Sequence, residues 1–132
     1  MLRSSQVKQV PSDLRTLITG PDNQVNVALA EWLVEFEGIC VVGIETRTMK
    51  ALVLAESLKP DVVLLDFETE HGITLNSVHL FREIDPVPRI VMLAHQVTGV
   101  IRRCCKEQGV TLVCRKTGEL DRLPSILLAL QK

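Results

Sequence analysis

Short apolar runs and amphipathic stretches alternate five times along the chain. The runs, each four or five residues long, predict strands at residues 16–19, 40–44, 62–66, 90–94 and 111–114. The third run is apolar without a break from Val62 to Leu65, which is typical of a strand buried on both faces. It ends in a carboxylate, Asp66, which makes this residue the first candidate for chemistry.

Apolar residues spaced three or four positions apart predict a helix after each strand. The first helix is expected to end at Gly38, and its predicted apolar face consists of Val25, Ala28, Leu29, Trp32, Leu33 and Phe36. The second helix stops before Pro60, the third has a weaker pattern and stops before Pro86, and the fourth ends at Gly109. Thr117 is the predicted N-cap of the last helix.

Five strand–helix units with buried strands predict a doubly wound α/β domain, because parallel strands need crossovers and right-handed crossovers cover both faces of the sheet. We expect a five-stranded parallel sheet of flavodoxin-like order 2-1-3-4-5 with five helices, built from residues 14–132. Residues 1–13 are polar and non-periodic, which predicts a flexible tail. Ligands of such sheets bind beyond the carboxyl ends of the strands, so we expect Asp66 to point into a crevice there.

The net charge and the hydropathy of the chain argue against nucleic acid and membranes as partners. Fifteen basic and sixteen acidic residues give a net charge of −1, which favours neither nucleic acid nor an anionic membrane as a partner. The chain has no signal-peptide core and no apolar stretch of the roughly 18 residues that a membrane span needs, so we expect a cytoplasmic protein. The four cysteines form no C-x-x-C pair and are expected to be reduced and structural, with a redox role for the vicinal Cys104 and Cys105 as the alternative.

The stretch EGICVVGIETRTMKALVLAESLKPDVVLLDF, residues 37–67, resembles without gaps the receiver domain of two-component response regulators. The resemblance is to the branch that usually precedes a helix-turn-helix DNA-binding domain. Similar pieces are LRTLIT, DPVPRIVMLA and GVTLVCRKTGEL at the first, fourth and fifth strands, so the resemblance covers about residues 14–130. It places Asp66 on the phosphoacceptor aspartate of the family and Lys116 on the lysine that contacts the phosphoryl oxygens.

The resemblance also implies a metal, and here the chain departs from the family. Receivers hold Mg²⁺ with two acidic residues after the first strand, but these positions are Gly20 and Pro21 in this sequence. The remaining carboxylate candidates are Asp22, Asp66 and Glu68, and we expect them to bind Mg²⁺ only weakly. No other cofactor is expected. The hydroxyl and the aromatic side chain that switch an ordinary receiver fall on Ala94 and Val113.

Several roles for the two remaining family residues stay open. Asp66 is a candidate phosphoacceptor, a solvated strand-end acid without a duty, or a binding residue. Lys116 either contacts a phosphoryl group or pairs with Asp66 in an ion bridge that holds the crevice closed. A flavodoxin-like cofactor enzyme is disfavoured, because the chain has no Gly-rich phosphate loop and little aromatic surface to stack on a flavin.

We therefore expect a receiver-like module of two-component signal transduction that acts by protein–protein contact, with atypical or weak phosphorylation at Asp66. It would not be an enzyme beyond this autophosphorylation and dephosphorylation. The alternative is an ordinary receiver, phosphorylated on Asp66 by a histidine kinase, whose DNA-binding output domain is not in this chain.

The expected partners are a histidine kinase, a downstream effector or a second copy of the chain. The resemblance places their contacts on the face made by the fourth helix, fifth strand and fifth helix. The basic residues of this face are Arg102, Arg103, Lys106 and Arg115. A solvated helix face is the simpler interpretation of the same residues.

Overall fold

The computed structural model describes residues 13–67 and 78–131. Its strands are β1 (Leu14–Thr19), β2 (Ile39–Glu45), β3 (Val62–Asp66), β4 (Arg89–Ala94) and β5 (Leu112–Arg115). They pair in parallel in the order β2-β1-β3-β4-β5, which confirms the predicted doubly wound sheet. Of the predicted tail, residues 1–12 lie outside the described residues, and the last residue, Asp13, is buried.

Within the described ranges five helices lie between and after the strands. They are α1 (Asn23–Leu33), α2 (Thr48–Leu58), α3 (Val78–Phe81), α4 (Gly99–Gln108) and α5 (Leu123–Ala129). Between β5 and α5 lie a short irregular segment, Lys116–Glu119, in which Thr117 and Gly118 have non-helical backbone angles, and a 3-10 turn, Leu120–Arg122. None of the helices in the described part of the chain has the length and apolar character that a membrane span requires.

The predicted ends of α2 and α4 are confirmed, but two other boundaries are wrong. α1 ends at Leu33, well before Gly38. Gly38 has a positive φ of 95° and turns the chain into β2, where its carbonyl accepts a hydrogen bond from the Leu14 amide. Thr117 does not cap the last helix, because Gly118 has a φ of 95° and interrupts the helical backbone. α5 begins only at Leu123.

The predicted apolar face of α1 is also partly wrong. The residues that α1 buries are Asn26, Leu29, Ala30 and Leu33. Val25, Ala28 and Phe36 are exposed instead. The two sets share helical spacing and differ by a rotation of the helix about its axis, so periodicity alone could not distinguish them. The rotation turns a polar side chain, Asn26, toward the sheet.

Each face of the sheet carries one apolar core. Leu17, Val63 and Leu65 belong to the core under α2, α3 and α4. Ile18 and Leu64 belong to the core under α1 and α5. Because successive residues of β3 enter opposite cores, the strand has no polar residue until the run ends at Asp66. β3 is therefore buried on both faces, and its first polar side chain, the carboxylate of Asp66, lies at the carboxyl edge of the sheet.

The four cysteines are free thiols. Cys40, Cys105 and Cys114 are buried, and burial is the main cause that raises the pKa of each thiol above its ordinary value. A raised pKa keeps a thiol protonated and therefore a poor nucleophile.

Candidate functional site

Asp66 and Lys116 form a nearly buried ion pair at the carboxyl edge of the sheet. Asp66 ends β3, which lies between β1 and β4, and Lys116 directly follows β5. The Lys116 ammonium is paired with Oδ1 of Asp66, and the exposed fractions of the two side chains are 13% and 1%. The ion bridge, one of the two roles left open for Lys116, is present in the structure. Breaking such a pair is costly, because the remaining charge stays in a poorly solvated place.

Gly20 closes the crevice on the side of β1. A Cβ atom built on this glycine would lie 2.6 Å from Cβ of Asp66 and 2.9 Å from Oδ1 of Asn26. Side-chain carbons do not approach one another so closely, so any other residue here requires the ends of β1 and β3 to move apart. Gly20 occupies the first of the two positions where the family resemblance places an acidic residue. The described backbone therefore excludes a carboxylate at that position.

Asn26 is a site residue that the sequence prediction missed. Its side chain is completely buried, and its Nδ2 donates a hydrogen bond to the Gly20 carbonyl oxygen at 3.0 Å. Its Oδ1 has no hydrogen-bond partner among the described residues. A signal was available in the sequence, because Asn26 lies three and seven positions before Leu29 and Leu33, on the same helical face.

Asp22, the first predicted metal ligand, has a structural role in the described chain. It is the N-cap of α1, and its Oδ1 accepts hydrogen bonds from the amides of Gln24 (2.9 Å) and Val25 (3.4 Å). Glu68 lies outside the described residues. Within residues 13–67 and 78–131 there is no group of three or more His, Cys, Asp or Glu residues that could hold a metal ion. Weak Mg²⁺ binding by Asp22, Asp66 and Glu68 stays a prediction.

The oxygens that border the crevice fit a weakly held cation better than a tightly held one. The carboxylate of Asp66 and the unpartnered amide oxygen of Asn26 both lie against Gly20. Mg²⁺ prefers an octahedral set of oxygens with one or two carboxylates. Here the only carboxylate in the described crevice is already balanced by the Lys116 ammonium. The local charge that would attract a divalent cation is therefore small.

Comparison with known proteins gives one relative in sequence. No protein-family model matches the chain. The protein-glutamate methylesterase/protein-glutamine glutaminase 1 of Saccharophagus degradans is 24% identical over 110 residues. The match covers 83% of this chain and 28% of the methylesterase, so the chain spans less than a third of that protein's length.

Solved structures are similar over nearly the whole chain. The signal receiver domain of NarL from Mycobacterium tuberculosis has a TM-score of 0.80 and 18% identity, and the match covers 92% of this chain and 98% of that domain. The response regulator domain of Thermotoga maritima CheB has a TM-score of 0.75 and 20% identity, and the match covers 90% of this chain and 94% of that domain. The isolated receiver domain of RcsB from Salmonella enterica has a TM-score of 0.77 and 19% identity, and the match covers 90% of this chain and 88% of that domain. The chain has the receiver-domain fold.

The two positions to which the family resemblance assigns the switch carry small apolar side chains. Ala94 is the last residue of β4 and is buried. Val113, on β5, is partly buried and packs against the core under α2, α3 and α4. Ala94 has no hydroxyl that could hydrogen-bond to a group on Asp66. Val113 is β-branched, with a stiff χ1, and is smaller than an aromatic ring.

The predicted basic face of the receiver fold lies at the β5 edge of the sheet. Its four basic residues, all exposed, are Arg102, Arg103 and Lys106 on α4 and Arg115 at the end of β5. Glu119 lies beside the end of β5, where its Oε1 accepts a hydrogen bond from the Arg115 amide at 2.8 Å. That bond is the main cause that lowers the pKa of Glu119. Partial burial opposes it, and the nearby charges of Arg115 and Arg102 add to it.

Proposed function

We propose that the chain is a receiver-like module of two-component signal transduction. It acts in the cytoplasm through protein–protein contact, and phosphorylation at Asp66 is weak or atypical. The receiver-domain fold and the position of Asp66 beside Lys116 support the signalling role. The observation that carries the atypical part is the contact of Gly20 with Asp66, which leaves no room for the first acidic residue of a magnesium site.

The residues of the crevice have defined tasks in this proposal. The carboxylate of Asp66 attacks the phosphorus of a phosphohistidine, so that an O–P bond forms and the N–P bond of the donor breaks. Lys116 stabilises the negative charge on the transferring oxygens. A divalent cation bound beside Asp66 would neutralise part of the same charge. In the described structure Asp66 is buried and already paired, so the donor has to displace an existing ion pair before it reacts.

The first test concerns the switch. Beryllofluoride, which mimics a phosphoryl group on an aspartate, should perturb amide chemical shifts only near Asp66. The shifts of Val113 and α5 should stay as they are, because neither Ala94 nor Val113 offers a contact that differs between the two states. An Asp66→Ala variant treated in the same way provides the baseline.

The opposite result would favour the alternative function. Saturable perturbations that run from Asp66 through Ala94 and Val113 to α5 would show a working two-state switch. The chain would then be an ordinary phosphoacceptor receiver that is phosphorylated by a histidine kinase. Its place in a longer protein with a DNA-binding output domain would become the next question.

The second test concerns the basic face. We expect self-association, or binding of a purified kinase or effector, to involve α4, β5 and α5. Reversing two charges together, Arg102→Glu and Arg103→Glu, should weaken that association at least tenfold at low salt, because a complementary acidic surface would then be repelled. Sedimentation equilibrium measures the self-association, and calorimetry measures the binding of a second protein.

Lys50→Glu is the matched control for the charge reversal. Lys50 is exposed on α2, which packs against β2 and β1, at the other edge of the sheet from β5. It should leave the association constant within about twofold of the wild-type value, since a distant surface charge has little effect. If both sets of charge reversals changed the association constant equally, the contact would lie elsewhere, or the association would depend only on the net charge of the chain.

A further inference from the structure

A groove with apolar walls and an acidic rim lies between α2 and the segment of α3, away from the Asp66 crevice. The described residues that line it are five apolar and two acidic side chains, with no basic one. Two of the apolar ones, Met49 and Val53, lie one helical turn apart on α2 and are 68% and 60% exposed. An exposed apolar surface with a charged rim is typical of a site that binds another protein.

The acidic side chains of the groove follow apolar ones at the same interval on both walls. On α2, Glu56 lies three residues after Val53. On the other wall, Glu83 lies three residues after Leu80, in a turn closed by the hydrogen bond from the Glu83 amide to the Leu80 carbonyl oxygen. Three residues of a helix rise about 4.5 Å. A helix with an apolar residue and a cation at this spacing would therefore match both walls.

The α4 helix of the same chain has this pattern. Val100 is 62% exposed, and Arg103, three residues later, is exposed as well. The first turn of α4 contains no acidic residue. Glu56, Glu83 and Arg103 have no ion-pair partner among the described residues. The groove and α4 are therefore complementary both in apolar contact and in charge.

The fold allows two copies of the chain to exchange this contact. Because Val100 is exposed within one copy, only a second copy can bring it into a groove. α2, α3 and α4 cover the same face of the sheet, and α2 and α4 run in the same direction because each connects parallel strands. A two-fold axis parallel to these helices places α4 of each copy opposite α2 of the other. The contact is then made twice, which closes the pair.

We propose that the chain forms a homodimer in which α4 of each copy binds the groove between α2 and α3 of the other. Val100 packs between Val53 and Leu80, and Arg103 pairs with Glu56 and Glu83. This inference rests on the proposed function and deepens it, because it names a second copy as a partner of the basic face and gives the acidic surface that this partner offers.

The Lys50 side chain lies outside the proposed contact. Lys50 follows Met49 by one position, which turns its side chain about 100° around α2, and it does not line the groove. The small effect expected for Lys50→Glu therefore still holds for this dimer.

Three exposed valines test the apolar part of the contact. Sedimentation equilibrium of the wild-type chain, up to about 1 mM, measures the dimerisation constant. Val53→Asp and Val100→Asp should each weaken dimerisation at least tenfold, because each places a charge without a partner in the contact. Val87→Asp is the matched control, since Val87 is 57% exposed and lies outside both surfaces. It should leave the constant within about twofold of the wild-type value.

A charge exchange tests the polar part. Glu56→Arg or Arg103→Glu alone brings like charges together and should weaken dimerisation at least tenfold at low salt. The two substitutions in one chain remake the pair with opposite polarity, so the constant should return to within about fivefold of the wild-type value. Melting curves followed by circular dichroism show whether each variant is folded.

Mixing the Val53→Asp and Val100→Asp chains tests the exchange itself. In a mixed pair one contact joins an intact groove to an intact α4, so the mixture should form more dimer than either variant alone at the same total concentration. The proposal is overturned if the wild-type chain stays monomeric at about 1 mM, if Val87→Asp weakens dimerisation as much as Val53→Asp, if the charge exchange recovers nothing, or if the mixture forms no more dimer than its components. Binding of a kinase or effector is measured with a second protein, so these failures would leave the proposed function standing.

Discussion

Replacing Lys116 by methionine should lower the free energy of unfolding by about 3–5 kcal/mol. The substitution leaves the carboxylate of Asp66 with 1% of its side chain exposed and without its counter-charge. Replacing Asp66 by asparagine should have a smaller effect, because the Lys116 side chain is 13% exposed and its flexible stem can carry the ammonium into water. Urea unfolding at pH 7 measures both free energies.

Two further variants control this experiment. The double variant Asp66→Asn, Lys116→Met should recover much of the loss, since a neutral pair leaves no uncompensated charge. Arg115→Met removes a charge from the neighbouring, exposed residue and should change the free energy of unfolding by no more than about 0.5 kcal/mol. A Lys116→Met loss as small as the Arg115→Met loss would mean that the ion pair does not stabilise the fold.

The same ion pair bears on phosphorylation. Lys116 can offer its ammonium to the carboxylate of Asp66 or to the oxygens of a phosphoryl group on it, so this contact exists in both states. A group that binds both states equally well shifts no population between them. The contacts that would differ belong to the hydroxyl and aromatic positions, which are Ala94 and Val113 here. We therefore expect the face made by α4, β5 and α5 to keep one conformation whatever the state of Asp66.

The sequence predicted the sheet well because its strands are defined by burial. β3 was predicted with its observed bounds, since both of its faces enter a core and no polar residue interrupts the run before Asp66. The meeting of Asp66 with Lys116 did not come from the pattern. The family resemblance placed both residues at the site and left open whether the lysine pairs with Asp66 or contacts a phosphoryl group.

The remainder of the crevice depends on contacts between distant residues, which a local pattern does not contain. The rotation of α1 that buries Asn26 is selected by packing on the sheet and by the bond to the Gly20 carbonyl. The contact of Gly20 with Asp66 joins the ends of two neighbouring strands, and it appears only when their spacing is known. The sequence showed that an acidic residue was missing at this position but not that the space for it had closed.

The lack of space beside Gly20 predicts a second large loss of stability. Gly20→Ala should destabilise the fold by about 1–3 kcal/mol, because the new methyl group would lie 2.6 Å from Cβ of Asp66, an atom that cannot turn away without its strand. Gly99→Ala is the matched control. Gly99 has no atom near the place of its Cβ and lies in the first turn of α4, so the change should stay within about 0.5 kcal/mol.

Gly20→Asp extends the comparison to function. In an open crevice this substitution would restore an acidic ligand and strengthen Mg²⁺ binding, whereas here the side chain has to force β1 and β3 apart before it can reach a cation. We therefore expect a loss of stability at least as large as that of Gly20→Ala, and no gain in Mg²⁺ affinity by calorimetry. If Gly20→Ala were as stable as Gly99→Ala and Gly20→Asp bound Mg²⁺ tightly, the ends of β1 and β3 would move apart at little energetic cost. The missing carboxylate at position 20 would then be a simple replacement that the fold tolerates, and not a consequence of closed space.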